Sequence, residues 1–250
     1  MQLLIEASVV LLAYIFGSIP FGLLIVKLSN GKDIRQVASG RTGGTNAMRA
    51  AGFGAGVITA AMDVLKGAAS VWVALAISPE NHWLHILAPI AAILGHNYSL
   101  FLAERDETGR FRLRGGAGGG PTVGGATGLW WPSFFIIVPL GVLIFFGIGY
   151  ASLTTLGIAV IATVIFSIRY SSGLSPWQDI VYGVAATILL LWALRPNIKA
   201  LMEGRERFHG WRPWRKEDPE PPKPEMVKPK PVNRTRRRTD SKKLIKSKQH

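Results

Sequence analysis

The chain has no cysteine. Disulfides, thiolate nucleophiles and cysteine-ligated metals are therefore excluded. Its 5 histidines are scattered; there is no HExxH motif, and no histidine is followed five residues later by aspartate. Zinc-hydrolase chemistry and the His-x4-Asp acyltransferase dyad are thus both missing. Charge is also scarce, at 18% of residues, and acidic residues are outnumbered 15 to 29 by Lys and Arg. The imbalance is local. Residues 1–194 carry net +3 and residues 195–250 net +11, which separates a nearly neutral apolar body from a basic appendage.

Hydrophobic residues make up 48% of the chain and arrive in long uncharged runs. There are 20 uncharged residues between Glu6 and Lys27, 23 between Glu80 and Glu104, 54 between Arg114 and Arg169, and 15 between Asp179 and Arg195. Roughly 20 apolar residues span a bilayer as a helix, and lipid offers backbone amides no partner outside the helix itself. The first run opens on acidic Glu6 and not on a basic segment, so it does not read as a cleaved signal peptide. Residues 50–79 form another apolar stretch, interrupted only by Asp63 and Lys66. Those two share one helix face at i and i+3, either as a self-neutralising pair or as working groups. The expected fold is an all-α polytopic membrane protein. No internal repeat or inverted symmetry of the transporter kind appears.

The number of crossings follows from charge. Segments 28–49 and 104–114 are Lys/Arg-rich and read as cytoplasmic, whereas 78–82 has neither residue and reads as external. A cytoplasmic basic tail then requires an odd count. Seven spans are expected, near 3–27, 53–77, 83–103, 116–131, 133–148, 151–168 and 176–194, with the N-terminus outside and the C-terminus in the cytoplasm. Pro132 and Gly149-Tyr150 supply the breaks in the long run. From Trp211 onward there are seven prolines and then Lys/Arg runs with little apolar mass, so residues 212–250 read as a disordered tail. Its expected partner is anionic lipid and not nucleic acid, because a basic run beside a membrane meets the membrane first.

Polar and glycine-rich residues gather in the cytoplasmic segments. Ser39 through Arg49 offers Gly40, Gly43 and Gly44 for tight turns, donors on Ser39, Thr45 and Asn46, and two guanidiniums, Arg41 and Arg49. These are the parts of a phosphate cradle leading into a helix N-terminus, although the pattern is neither a Walker loop nor a Rossmann fingerprint. Arg114-Gly115-Gly116-Ala117-Gly118-Gly119-Gly120 is either a flexible loop or a second anion nest of backbone amides. His96 stands at the inner end of the third span, where a lone histidine is more often a structural hydrogen-bonder than a catalyst. Tyr150 to Thr155 and Asn197 to Glu206 add further polar groups.

In order, these stretches resemble one family, the bacterial membrane acyl-phosphate:glycerol-3-phosphate acyltransferases of the PlsY type. Its G-S-x-P-x-G-x-L element is matched by Gly17-Ser18-Ile19-Pro20-Phe21-Gly22-Leu23-Leu24. Its S-G-N-x-G-A-T-N-x-x-R loop is matched at Ser39, Gly40, Gly43, Thr45, Asn46 and Arg49, and its D-x-L-K-G at Asp63 to Gly67. Its G-H-x-x-P-x-F is matched at Gly95, His96 and Phe101, its Y-x-S-L at Tyr150, Ser152 and Leu153, and its terminal N-I element at Asn197, Ile198, Leu201, Gly204 and Glu206. The resemblance runs from about residue 10 to residue 206.

Five positions depart from the pattern: Arg41 replaces an Asn, Gly44 an Ala, Ser99 a Pro, Ala117 the Lys of G-G-K-G, and Leu194 a His. The loop at 104–114 is also longer. Arg41 and Arg114 are expected to restore the missing charge, the latter with Arg112 nearby.

The resemblance implies transfer of a fatty acyl group from acyl-phosphate to glycerol 3-phosphate, releasing phosphate, at the cytoplasmic face of a bacterial cell membrane. No metal or other cofactor is implied. The enzyme that makes acyl-phosphate is a candidate partner. Residues 1–211 would be the acyltransferase domain. Ser39, His96 and Ser152 are the candidate catalytic residues. Gly40, Arg41, Gly43, Thr45, Asn46, Arg49, Arg114, Gly115, Gly116, Gly118 and Asn197 are the candidates for holding substrate. The alternative reading is an inactive relative that kept the fold as a transporter or lipid-binding scaffold.

Overall fold

The computed structural model describes residues 1–105 and 109–208. The expected tail, and the boundary at 211/212, lie outside those residues. Nine α-helices are described: α1 (Gln2–Ser18), α2 (Phe21–Asn30), α3 (Gly44–Ala51), α4 (Phe53–Ile77), α5 (His82–Asn97), α6 (Gly119–Leu129), α7 (Ser133–Gly147), α8 (Ala151–Ser171) and α9 (Gln178–Met202). The 104–114 segment, expected as a charged loop, contains a short antiparallel hairpin of β1 (Ala103–Arg105) and β2 (Phe111–Leu113).

Among the described residues, five helical stretches are long and apolar enough to cross a membrane: Gln2–Asn30, Phe53–Ile77, His82–Leu102, Ala151–Ser171 and Gln178–Met202. Helices also stand at the two remaining expected positions, but α6 has 11 residues and α7 has 15. At 1.5 Å per residue neither reaches across a hydrocarbon core of about 30 Å unaided.

The first crossing is broken where proline requires it. Pro20 has no N–H, and Ile19 before it is extended (φ −60°, ψ 118°), so α1 stops and α2 restarts. The carbonyls this frees take partners from other spans: Lys66 Nζ donates to Ile19 O at 3.3 Å and Ser99 Oγ to Ser18 O at 2.5 Å. The G-S-x-P signature is thus a built break in a membrane helix, tolerated because neighbouring side chains satisfy the backbone.

Packing at the centre depends on missing side chains. A Cβ on Gly67 of α4 would lie 2.2 Å from Pro121 O, and one on Gly124 of α6 would lie 1.9 Å from Val64 O. The two helices touch backbone to backbone, as small residues allow in membranes. Phe166, Tyr182, Leu190, Ile93 and Ile137 fill the core that joins α5, α7, α8 and α9. Tyr182 donates its hydroxyl to Thr122 O at 2.8 Å, which anchors α6 to α9. Large apolar side chains such as Leu12, Phe135, Leu143, Val160 and Ile188 remain exposed on the outer faces, where lipid would cover them.

Candidate active site

The segment between α2 and α3 is held by side chains in place of regular structure. Asp33 accepts from Arg35 N at 2.9 Å and pairs with the Arg35 guanidinium at 2.7 Å. That hydrogen-bonded cation holds the Asp33 carboxyl below its ordinary value. Asn46 does the larger share. Its amide nitrogen lies within hydrogen-bonding reach of the carbonyls of Ile34 (3.1 Å), Val37 (3.0 Å) and Arg41 (2.8 Å). Asn46 is buried, so its donors serve the loop. It positions Ser39 and Arg41.

Arg41 crosses the space between three elements. Nη1 donates to Gly116 O at 2.9 Å and Nη2 to Ala193 O at 2.5 Å, while Nε and Nη2 reach Asn197 Oδ1 at 3.3 and 3.1 Å. All these acceptors are neutral. Burial pulls the guanidinium below its ordinary value, yet an arginine stays charged under such conditions. Among the described residues, no carboxylate is paired with this positive charge. Gly116 and Ala193 immediately precede Ala117 and Leu194, the positions where the resemblance lacks its Lys and His. The Arg41 guanidinium stands between them.

His96 ends α5, buried against α4. Its Nδ1 lies 3.5 Å from Asp63 Oδ1, and Lys66 Nζ lies 2.9 Å from the same oxygen. The i, i+3 pair legible in the sequence is thus a three-membered cluster, whose third member comes from a helix 33 positions away. Gly116 explains its own presence: a Cβ there would fall 1.9 Å from His96 Nε2. Gly116 N also donates to His96 O at 2.9 Å. The glycine loop lies on the imidazole and its backbone.

Ser152, in the first turn of α8, donates its hydroxyl to Glu206 Oε2 at 2.6 Å, and its N–H donates to Oε1 at 3.2 Å. A carboxylate there satisfies an otherwise orphaned N-terminal amide and favours the helix dipole. This folds residues 205–208 back beneath α8, where Tyr150 and Phe208 form a backbone bridge. Ser152, expected among the catalytic residues, is committed to holding this segment.

These groups surround a cavity of about 650 Å³. Its polar end presents Ser39, Arg41, Thr45, Arg49, Asn197, Arg205 and Arg207, with Asp63 and His96 further in. Burial pulls Arg49 below its ordinary value; repulsion from Arg207 adds to that pull and Glu206 opposes it. The other end is apolar, walled by Val57 and Val64 of α4, Val123 of α6, Ile137, Val142 and Phe145 of α7, and Ile158 of α8. A container with this volume, mostly apolar walls and converging cations suits an amphiphile with an anionic head.

Of the expected site residues, Ser39, Arg41, Gly43, Thr45, Asn46, Arg49, His96, Gly118, Ser152 and Asn197 line the cavity. Four do not. Gly40 supplies a turn at φ 66°, and Gly115 and Gly116 pack on His96 and Asn97. Arg114 is drawn to the hairpin, where Nε meets Glu104 Oε1. The expected replacement cation thus has an acid beside it and a side chain outside the cavity lining. Arg112 sits opposite Glu104 in that hairpin. Sequence reasoning missed Arg205 and Arg207 as cavity groups. They flank Glu206, which the motif matched, but only the fold-back on Ser152 brings them to the cavity.

The family model described as glycerol-3-phosphate acyltransferase matches residues 7–204. The chain is 35% identical to the glycerol-3-phosphate acyltransferase of Rubrobacter xylanophilus over 214 residues, covering 84% of this chain and 98% of that protein. It is 36% identical to that of Thermus thermophilus over 208 residues, covering 81% and 94%. Among solved structures, it is similar to PlsY, an integral membrane glycerol 3-phosphate acyltransferase, in its glycerol 3-phosphate form. That likeness has a TM-score of 0.70 and 29% identity, over 82% of this chain and 96% of the other. The form with lysophosphatidic acid gives 0.69 and 28%, over 81% and 94%. With the family model reaching from within α1 to the end of α9, and relatives at this identity matched over nearly their full length, the chain belongs to the glycerol-3-phosphate acyltransferase family.

Proposed function

We propose that this chain transfers a fatty acyl group from acyl-phosphate to the primary hydroxyl of glycerol 3-phosphate, giving 1-acylglycerol 3-phosphate and inorganic phosphate. The observation that carries the reading is the cavity itself. Arg41, whose hydrogen-bond acceptors are all neutral, shares one space with Arg49, Arg207 and an apolar arm. Two phosphate-bearing substrates, one with a long chain, need both.

Acyl-phosphate already has a good leaving group, so no covalent nucleophile is required. The work is to hold two anions and align a hydroxyl with a carbonyl. Arg41, Arg49 and Arg207 supply the charge, and Thr45 and Asn197 hydrogen bonds. The hydroxyl oxygen bonds to the acyl carbon, the carbon–oxygen bond to phosphate breaks, and phosphate leaves with the electron pair. His96, with Asp63 on Nδ1, accepts the hydroxyl proton and returns it to phosphate. Ser39, at the mouth of the cavity, donates to the carbonyl oxygen as charge develops there. In detergent, purified protein should convert radiolabelled glycerol 3-phosphate and palmitoyl-phosphate to labelled lysophosphatidate. No labelled lipid from a folded preparation would sink the proposal.

The proposal extends to placement. In a bacterial cell membrane the polar end of the cavity faces the cytoplasm, Met1 lies outside, and the basic tail meets anionic lipid. Activity reporters fused at residues 80 and 110 should read external and cytoplasmic respectively. The reverse assignment would overturn this orientation.

A further inference from the structure

Gly141 is the single small residue in α7 between Phe134 and Phe146. In the middle of a helix a glycine costs roughly 0.5–1 kcal/mol relative to alanine, so it needs a reason. Close helix packing is not that reason. A Cβ on Gly67 or Gly124 would strike backbone at 2.2 or 1.9 Å, whereas one on Gly141 would meet only the side chain of Ile158, at 3.4 Å from Cγ1 and 3.6 Å from Cδ1. Those are ordinary contact distances. The space left by Gly141 is cavity and not a neighbouring helix.

Its place within the cavity is specific. Ile137, Val138, Gly141, Val142 and Phe145 all line it, spaced i, i+1, i+4, i+5 and i+8, one face of α7. Toward α7's N-terminal end the walls close: Ile137 is fully buried, and Val123, Val64 and Val138 stand with it. Toward the other end lie Phe145 and then the arginines. Gly141 and Ile158 face each other between the two, so a chain reaching the closed end must pass them.

We propose that the Gly141–Ile158 gap is the length gauge of the acyl site: it admits a long chain to the Ile137 end, and a larger side chain at 141 would limit the enzyme to short ones. The inference rests on the acyl-transfer reading for the identity of the ligand. Its test is chosen to stand apart from turnover. Alkyl phosphonates of 8 to 16 carbons carry a chain and an anionic head but no transferable acyl group. Their affinities for full-length wild type and Gly141→Leu are compared by isothermal titration in one detergent, and the variant-to-wild-type ratio cancels partition into micelles.

The expected ratio is near one at 8 carbons and falls at least about tenfold by 16, since a methylene misfit in an apolar pocket is worth roughly 10- to 200-fold. Gly141→Ala should lie between the two. Ile158→Ala, which widens the gap without adding bulk, should leave the 16-carbon affinity at or above wild type. A ratio that does not depend on chain length, whether near one or uniformly low, overturns the gauge. Acyl-phosphate turnover measured on the same preparations separates the two ideas. A shifted binding profile without transfer by wild type would contradict the acyltransferase reading alone, and transfer with an unshifted profile would contradict the gauge alone.

Discussion

Replacing Asp63 with Asn is expected to cost the fold about 3–5 kcal/mol, the range for breaking a buried ion pair from one side. Asp63 is 3% exposed and Lys66 is fully buried. The carboxylate is the only anion within 4 Å of the ammonium among the described residues. Removing it leaves Lys66 with one carbonyl, that of Ile19 at 3.3 Å, and the face of Phe21 at 5.5 Å. For a chain of this size the loss corresponds to a drop of roughly 6–20 °C in the thermal unfolding midpoint, measurable in detergent by intrinsic fluorescence. Removing both charges at once should behave differently. Asp63→Leu with Lys66→Met replaces the pair by apolar groups of similar volume, a change that is often neutral or stabilising. The double variant should therefore recover most of the midpoint but not the activity, because His96 has lost the carboxylate on its Nδ1. His96→Gln should keep the midpoint within a few degrees while kcat falls by roughly 10²–10⁴-fold, the range for losing a general base. Wild-type activity in the double variant would show that the cluster serves stability alone.

Arg41→Ala should lower kcat/KM by at least about tenfold. Each hydrogen bond from a charged donor is worth about 1.5–3 kcal/mol, or roughly 10- to 150-fold, and Arg41 makes such bonds to two carbonyls and to Asn197. The substitution also withdraws the charge and frees the glycine loop from α9. Arg41→Lys keeps the charge but cannot span the acceptors, so it should lie between the two. Because Gly116 and Ala193 each adjoin a position that lost a cation, adding Ala117→Lys or Leu194→His to Arg41→Ala should restore part of the loss. Arg114→Ala, by contrast, should change kcat/KM by less than about threefold, since an exposed pair such as its contact with Glu104 contributes 0–1 kcal/mol. Equal losses for Arg41→Ala and Arg114→Ala would contradict this division of roles.

Much of this site was legible in the residues. Long uncharged runs pointed to the helical membrane body, Pro132 marked a real break, and Ser39 to Arg49 displayed the cations and donors that line the cavity, whereas the break at Pro20 lies inside a stretch read as one span. Legibility failed where contact is long-range. Asp63 and Lys66 announced themselves by spacing, but nothing in the sequence ties them to His96. Arg114 has the right type and lies three residues from Ala117, yet its side chain is drawn into an ion pair with Glu104. Asn46 reads as a substrate donor until its nitrogen is found against three carbonyls of its own loop. Arg205 and Arg207 carry no mark of a site in the sequence. The two hydrogen bonds from Ser152 to Glu206 hold them beside the cavity. The span count shows the same limit from another side: charge parity asks for seven helices, and all seven positions are helical, but α6 and α7 are too short for composition and length to decide.

The most direct measurement of the central claim sets two donors side by side. Purified protein is given labelled glycerol 3-phosphate with either palmitoyl-phosphate or palmitoyl-CoA at equal concentration, and initial rates of lysophosphatidate formation are compared. The cavity has cations and glycine loops for a phosphate leaving group and no His-x4-Asp dyad for a thioester. Palmitoyl-phosphate should therefore support transfer, with one phosphate released per lipid formed, and palmitoyl-CoA should not. Equal or faster transfer from palmitoyl-CoA would contradict the mechanism built on this site.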